Sequence, residues 1–163
     1  MIRPFGRRTA ALVFAMAATV GCDQAAKHVA ARRLAGGGAV EVLFGTARFQ
    51  LAENRGGFLG LGGRLPEAAR RGLFVGLTGA GLLGGAALLV RRRGIAFAPA
   101  LGLALVLGGG FGNLVDRLTR GPVTDFLVLR LGPFHTGVFN VADAAILAGA
   151  ALALVAWPRA GVH

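Results

Sequence analysis

Four long apolar runs, each closed by charged or glycine-rich sequence, set the pattern of this 163-residue chain. The first begins at about Ala10, after the basic residues Arg3, Arg7 and Arg8, and reaches about Ala31. The second runs from Gly72 to Val90 and stops at Arg91-Arg92-Arg93; the third covers Ile95 to Val115, and the fourth Val138 to Trp157. Crossing a bilayer takes about 20 apolar residues. The pattern therefore predicts a membrane all-α chain of four spans, about 10–31, 72–90, 95–115 and 138–157, forming one integral membrane domain over 1–163. Pro99 is expected to kink the third span. Trp157 suits the interface, and Pro158 ends the last helix.

Between the spans the pattern changes period. Residues 36–71 are too polar to cross, and Val40–Phe44 and Arg48–Glu53 each partly alternate apolar with polar around Gly45-Thr46-Ala47. That predicts a small β-hairpin lying on the membrane. The glycine-rich stretch from Gly56 to Gly63, with Phe58 and Leu59, is expected to close as a lid, or else only to anchor the loop beside the membrane. Pro66 marks the start of a short helix running into the second span. Residues 117–137 read as a loop.

Composition agrees with a polytopic membrane protein: 55% hydrophobic, 15% charged, 28 glycines and a mean hydropathy of +0.65. The net charge of +11 does not point to nucleic acid, because the apolar runs place the arginines at membrane surfaces. A lone Cys22 excludes an internal disulfide framework and a multi-cysteine metal site. It is read as a small packing residue of the first span, against the alternative of a lipoprotein cleavage site at Gly21-Cys22.

With four spans, the termini and Arg91–Arg93 share one side, and the loops 32–71 and 117–137 share the other. All seven acids then fall toward the loop side, and the opposite side carries seven arginines and no acid. Arginines packed into short segments assign that opposite side to the cytoplasm.

The chemistry gathers in the stretch from Gly108 to Ile146. Asp125 stands just past one apolar segment, and Asp143 just inside the next. An acid within a membrane segment is a functional-site candidate by default. Counted from Val138, Asp143 should sit roughly 7–8 Å inside the hydrocarbon at 1.5 Å per residue, with Asn140 on its face. Two neighbouring carboxylates cannot both ionise easily, so one can serve as base and the other as acid toward a peptide carbonyl. Two other readings are open at this point: Asp143 and Asn140 merely bond between helices, or Asp143 is the relay of a small proton-coupled transporter. His28, His135 and His163 have no motif around them, and no metal cluster or cofactor motif is evident. Asp23 and Lys27, four apart, are expected to pair on one helix face near the headgroups.

These residues resemble the bacterial lipoprotein signal peptidases, also called signal peptidase II, over nearly the whole chain. The likeness rests on Asp23-Gln24 with Lys27; on Asn54, Gly56 and Phe58; on Gly108-Gly109 and Gly112-Asn113 before Asp116-Arg117; on Gly121, Val123 and Asp125-Phe126; and on Phe139-Asn140-Val141-Ala142-Asp143. Phe111 within the glycine run and Ala144 after the second aspartate are mild departures. The resemblance implies an aspartic endopeptidase of the bacterial inner membrane, with its site at the periplasmic side and both termini cytoplasmic. Its substrate would be a diacylglyceryl-modified prolipoprotein among membrane phospholipid, cut on the N-terminal side of the lipidated cysteine, with globomycin as inhibitor and no cofactor. It further implies Asp125 and Asp143 as the catalytic pair. Asn54, Gly56, Asn113, Arg117 and Asn140 would contact substrate, and Asp23, Lys27 and Asp116 would be structural polar residues.

Overall fold

The computed structural model describes residues 6–56, 65–92 and 94–157. The lid expected at Gly56 to Gly63 therefore lies outside the described residues, except for Gly56 itself. Three helices are long and apolar enough to cross a membrane: α1 (Arg7–Arg33), α2 (Glu67–Arg91) and α3 (Phe97–Thr119). A fourth apolar helix, α4 (Val141–Ala156), has 16 residues, or about 24 Å of length.

The start of α4 departs from the hydropathy pattern for a local reason. Asn140 is extended and caps the helix: its side chain accepts from the Asp143 N–H, and the Asp143 side chain accepts from the Asn140 N–H. This reciprocal box satisfies two main-chain donors and starts the helix three residues later than the apolar run begins. Phe139 instead pairs with Leu127 as an isolated bridge. Asp143 is thus the third residue of α4, about 3 Å along it, and not five residues deep. Pro99 is also in a first turn, that of α3, where a missing N–H costs nothing, so it makes no mid-helix kink.

Residues 117–137 are not the loop expected from their composition. Helix α3 continues to Thr119, and β3 (Val123–Leu131) and β4 (Phe134–His135) follow. With β1 (Val40–Val42) and β2 (Ala47–Asn54) they form one antiparallel sheet of order β1-β2-β3-β4. The hairpin foreseen around residues 40–53 is thus half of a larger sheet. Between β1 and β2, Leu43 and Phe44 adopt positive φ (52° and 55°) and project 71% and 109% exposed.

The sheet packs on the end of α1. Ala30 and Leu34 bury against Phe126, and Phe49 stacks on Phe126 with ring centroids 6.5 Å apart. Cys22 faces outward from α1, so it is not the packing residue expected. At the other end of the molecule, the Arg8 guanidinium bonds the Ile95 carbonyl between α2 and α3.

Helices α3 and α4 approach through glycine. A Cβ at Gly102 would stand 2.5 Å from the Gly149 carbonyl oxygen, and the converse holds for Gly149; one at Gly109 would collide with the Ala142 carbonyl. Such contacts let helix backbones meet closely. Gly149→Ala should therefore destabilise the protein by about 1–3 kcal/mol through overpacking. Gly76→Ala, where an added Cβ meets nothing within 4 Å, should cost nothing. Thermal unfolding of both in detergent checks the contrast, and equal melting temperatures would contradict the packing.

Candidate active site

The site is assembled where α1, α3, α4 and β3 meet, around a charge cluster with no exposed atoms. Lys27 on α1 is fully buried, and its ammonium reaches Asp23 Oδ2 at 2.7 Å, Asp116 Oδ2 at 2.9 Å and Asn113 Oδ1 at 3.0 Å. Three donors meet three acceptors, which is the full capacity of a lysine. The expected Asp23–Lys27 pair is therefore present, but in the protein interior and shared with α3. Gly112 makes room for it, since a Cβ there would lie 2.8 Å from Asp23 Oδ2.

The same two carboxylates also grip the main chain. Asp23 Oδ1 accepts from the N–H of Ala142 at 2.9 Å, and Asp116 Oδ2 accepts from the N–H of Thr124 at 3.2 Å. Ala142 immediately precedes Asp143, and Thr124 immediately precedes Asp125. Gln24 ties the cluster together, donating to Asp23, to Asp116 and to the Gly112 carbonyl at 3.1–3.2 Å. Arg120, half-exposed, adds a 3.2 Å pair with Asp116.

Above this floor the two aspartates come together. Asn140 donates to Asp125 Oδ1 at 2.6 Å, and its main-chain N–H reaches Asp143 Oδ2 at 3.4 Å. Asn113 donates to Asp143 Oδ1 at 2.9 Å, while its own Oδ1 accepts from Asn140 and Lys27. Asn113 and Asn140 thus do join α3 to α4, as the interhelical reading expects, and in doing so they hold both carboxylates. Asn54, at the end of β2, donates to Asp125 Oδ2 at 3.1 Å and accepts from the Gly56 N–H at 3.1 Å. The β2–β3 register sets that contact, with Asn54 opposite Val123 and Ala52 opposite Asp125. Arg117 spans from the Asn113 carbonyl (3.3 Å) to the Gly56 carbonyl (3.2 Å).

Asp125 is 2% exposed. Burial, and then the neighbouring Asp143 charge, push its carboxyl up to about 6 from 3.8; hydrogen bonds from Asn54 and Asn140 and the Lys27 charge pull the other way. A carboxyl raised in this way can take up and give up a proton near neutral pH, which is what acid–base work asks of a member of such a pair.

All ten residues singled out from the sequence fall within this network. Gln24 and Arg120 were given no role there. The available signal was an amide directly beside an acid in an apolar helix, and an arginine four residues after Asp116. His28 and His135 are exposed and apart from the network, and no group of three His, Cys, Asp or Glu among the described residues could hold a metal ion.

Residues 15–158 match the family model described as signal peptidase (SPase) II. A lipoprotein signal peptidase of Solibacter usitatus (strain Ellin6076) is 40% identical over 104 residues, 64% of this chain and 63% of that protein. One from Burkholderia mallei (strain SAVP1) is 40% identical over 118 residues, 71% of this chain and 68% of that one. In structure the chain is similar to a bacterial membrane enzyme solved by the in meso method at 1.9 Å, with a TM-score of 0.79, 21% identity, and coverage of 90% of this chain and 92% of that one. That last likeness speaks for the fold.

Proposed function

The chain belongs to the signal peptidase II family, and on that premise we propose that it is a lipoprotein signal peptidase working as an intramembrane aspartic endopeptidase. Its substrate is a diacylglyceryl-modified prolipoprotein, and the bond cut lies on the N-terminal side of the lipidated cysteine. The observation that carries the mechanism is one residue, Asn140, whose side-chain amide donates to the Asp125 carboxyl and whose main-chain N–H reaches the Asp143 carboxyl.

In this mechanism one carboxyl carries a proton and the other is ionised, and the proton belongs to the pair. The carboxylate takes a proton from water as its oxygen adds to the scissile carbonyl carbon. The protonated partner then gives its proton to the departing nitrogen as the C–N bond breaks. The products are the signal peptide with a new carboxylate and the lipoprotein with a free amine. Asn54, Gly56, Asn113, Arg117 and Asn140 contact the substrate or orient the pair. Asp23, Lys27 and Asp116 act beneath them.

Four spans with both termini cytoplasmic and the site at the periplasmic face of the inner membrane suit this substrate. Its acyl chains stay in the leaflet, so the scissile bond arrives at a shallow site. Asp143 in the first turn of α4 and Asp125 in an extra-helical strand supply such a site. Both acids at one end of the bundle also argue against a transporter relay, which must face both sides in turn. Leu43 and Phe44 would dip into the same leaflet.

The test is purified protein in detergent with a lipidated lipobox peptide, followed by mass spectrometry. Two fragments are expected, with the new amine on the lipidated cysteine and no need for an ion gradient. Globomycin should block the reaction. An intact peptide, or cleavage elsewhere, would end this reading.

A further inference from the structure

The first turns of α2 and the end of α3 face each other across a cavity of about 350 Å³. Five arginines line it, Arg55, Arg70, Arg71, Arg117 and Arg120, against two glutamates. Arg55 is paired with Glu53 at 3.3 Å, and Arg120 with Asp116 at 3.2 Å. The other three have main-chain carbonyls as their hydrogen-bond partners among the described residues: Arg70 bonds Leu65 O (3.3 Å), Arg71 bonds Leu118 O (2.9 Å), and Arg117 bonds Asn113 O and Gly56 O. A carbonyl takes up one N–H and cancels no charge, while a guanidinium has five donors. Three positive groups therefore converge on one cavity with no ion pair of their own among the described residues; Glu67 also lines it, and the Asp116, Asp125 and Asp143 charges act on Arg117.

We propose that this cavity binds a phosphodiester anion, the headgroup of an acidic phospholipid in the leaflet bordering the two carboxylates. Guanidinium forks match the spacing of phosphate oxygens and bind them bidentately. The volume suits a small headgroup. The choice of a lipid rests on α2. None of its residues is buried, and Leu73 and Leu77 are 45% and 61% exposed. They lie three and seven residues beyond Arg70, on the same helix face, so aliphatic surface for acyl chains continues directly from the cation cluster. A lipid held here would stand beside Arg117, which already ties the Gly56 loop to α3. The site depends on the chain lying in a membrane and is independent of which bond the enzyme cuts.

Native mass spectrometry of the full chain, released from micelles doped with phosphatidylglycerol or with phosphatidylcholine, reads the site directly. The parent should retain phosphatidylglycerol at least tenfold over phosphatidylcholine. Arg70→Gln/Arg71→Gln should lose about 10- to 30-fold of that retention, as expected for removing two surface cations. Arg70→Lys/Arg71→Lys should keep part of it. Arg32→Gln/Arg33→Gln, at the exposed end of α1, should keep all of it. Melting in lipid-free detergent identifies a double variant that has not folded, and the parent's own preference, weakening as salt rises, then serves as the measurement. Equal retention of the two lipids by the parent, or by parent and folded Gln variant, overturns the proposal. So does binding of inorganic phosphate or of an acidic peptide that phosphatidylglycerol cannot displace. Peptide cleavage is scored separately, so a failure here is distinct from a failure of the peptidase reading.

Discussion

Asp125→Asn and Asp143→Asn should each lower cleavage of a lipidated lipobox peptide by about 10²–10⁴-fold, the range of general acid–base catalysis. An amide has nearly the shape of a carboxyl and cannot pass the shared proton. The loss should appear in kcat, since neither change removes an apolar contact with the substrate. Unfolding has to be separated from lost chemistry, and Asp125 supplies the means. Its carboxyl titrates near 6 in the folded protein and at 3.8 when free. The folded state thus binds a proton that the unfolded state has released, and the parent loses stability as pH rises from about 4 to about 6. Asparagine has no such titration. The melting temperature of Asp125→Asn, relative to the parent, should therefore move in the variant's favour across that window and level off above it. A folded Asp125→Asn protein with near-parental turnover would eliminate the aspartic mechanism. A stability difference that stays flat between pH 4 and 6 would show that Asp125 is not the strained acid of the pair.

Hydropathy made the helices legible because a bilayer leaves a backbone few alternatives. It could not locate their ends, which are fixed by particular side chains: Val138 and Phe139 are as apolar as α4 itself, yet the Asn140 box starts the helix only at Val141. Strand β3 was hidden for a different reason. Thr124, Asp125 and Arg130 interrupt its apolar residues, and its partner β2 lies some seventy residues earlier, with Ala47 opposite Leu129 and Asn54 opposite Val123. No local pattern carries a pairing of that range. The same gap explains the site. Asp125 and Asp143 stand out as acids in apolar surroundings, which is a property of each neighbourhood. The contact of Asn54 with Asp125 follows from sheet register, and the sequence suggested Asn54 only through its resemblance to a family. Gln24 illustrates the limit: its three partners come from two helices, and nothing in its own helix names the two on α3, Gly112 and Asp116.

Lys27→Met should destabilise the fold by about 3–5 kcal/mol, the cost of removing one partner from a buried ion pair. Asp23 and Asp116 both depend on that ammonium and are fully buried with it. Without it two carboxylates face each other in the interior, and Asn113 loses a donor. Asp23→Asn on the Lys27→Met background should recover a substantial part of the loss. It removes one of the uncompensated charges while keeping an oxygen for the Ala142 N–H, so the two changes should be strongly non-additive. Activity should fall further than stability. The cluster holds the main chain one residue before each aspartate, at Ala142 through Asp23 and at Thr124 through Asp116, so relaxing it lets both carboxyls drift from Asn140. Displacements of about 1 Å in such a geometry can cost about 100-fold in rate. The measurement is turnover of Lys27→Met at temperatures well below its own melting point, with peptide KM determined alongside. Depressed kcat at unchanged KM is expected. Parental kcat in the folded variant would reduce Lys27 to a stabilising residue and leave the placement of the pair to Asn113 and Asn140.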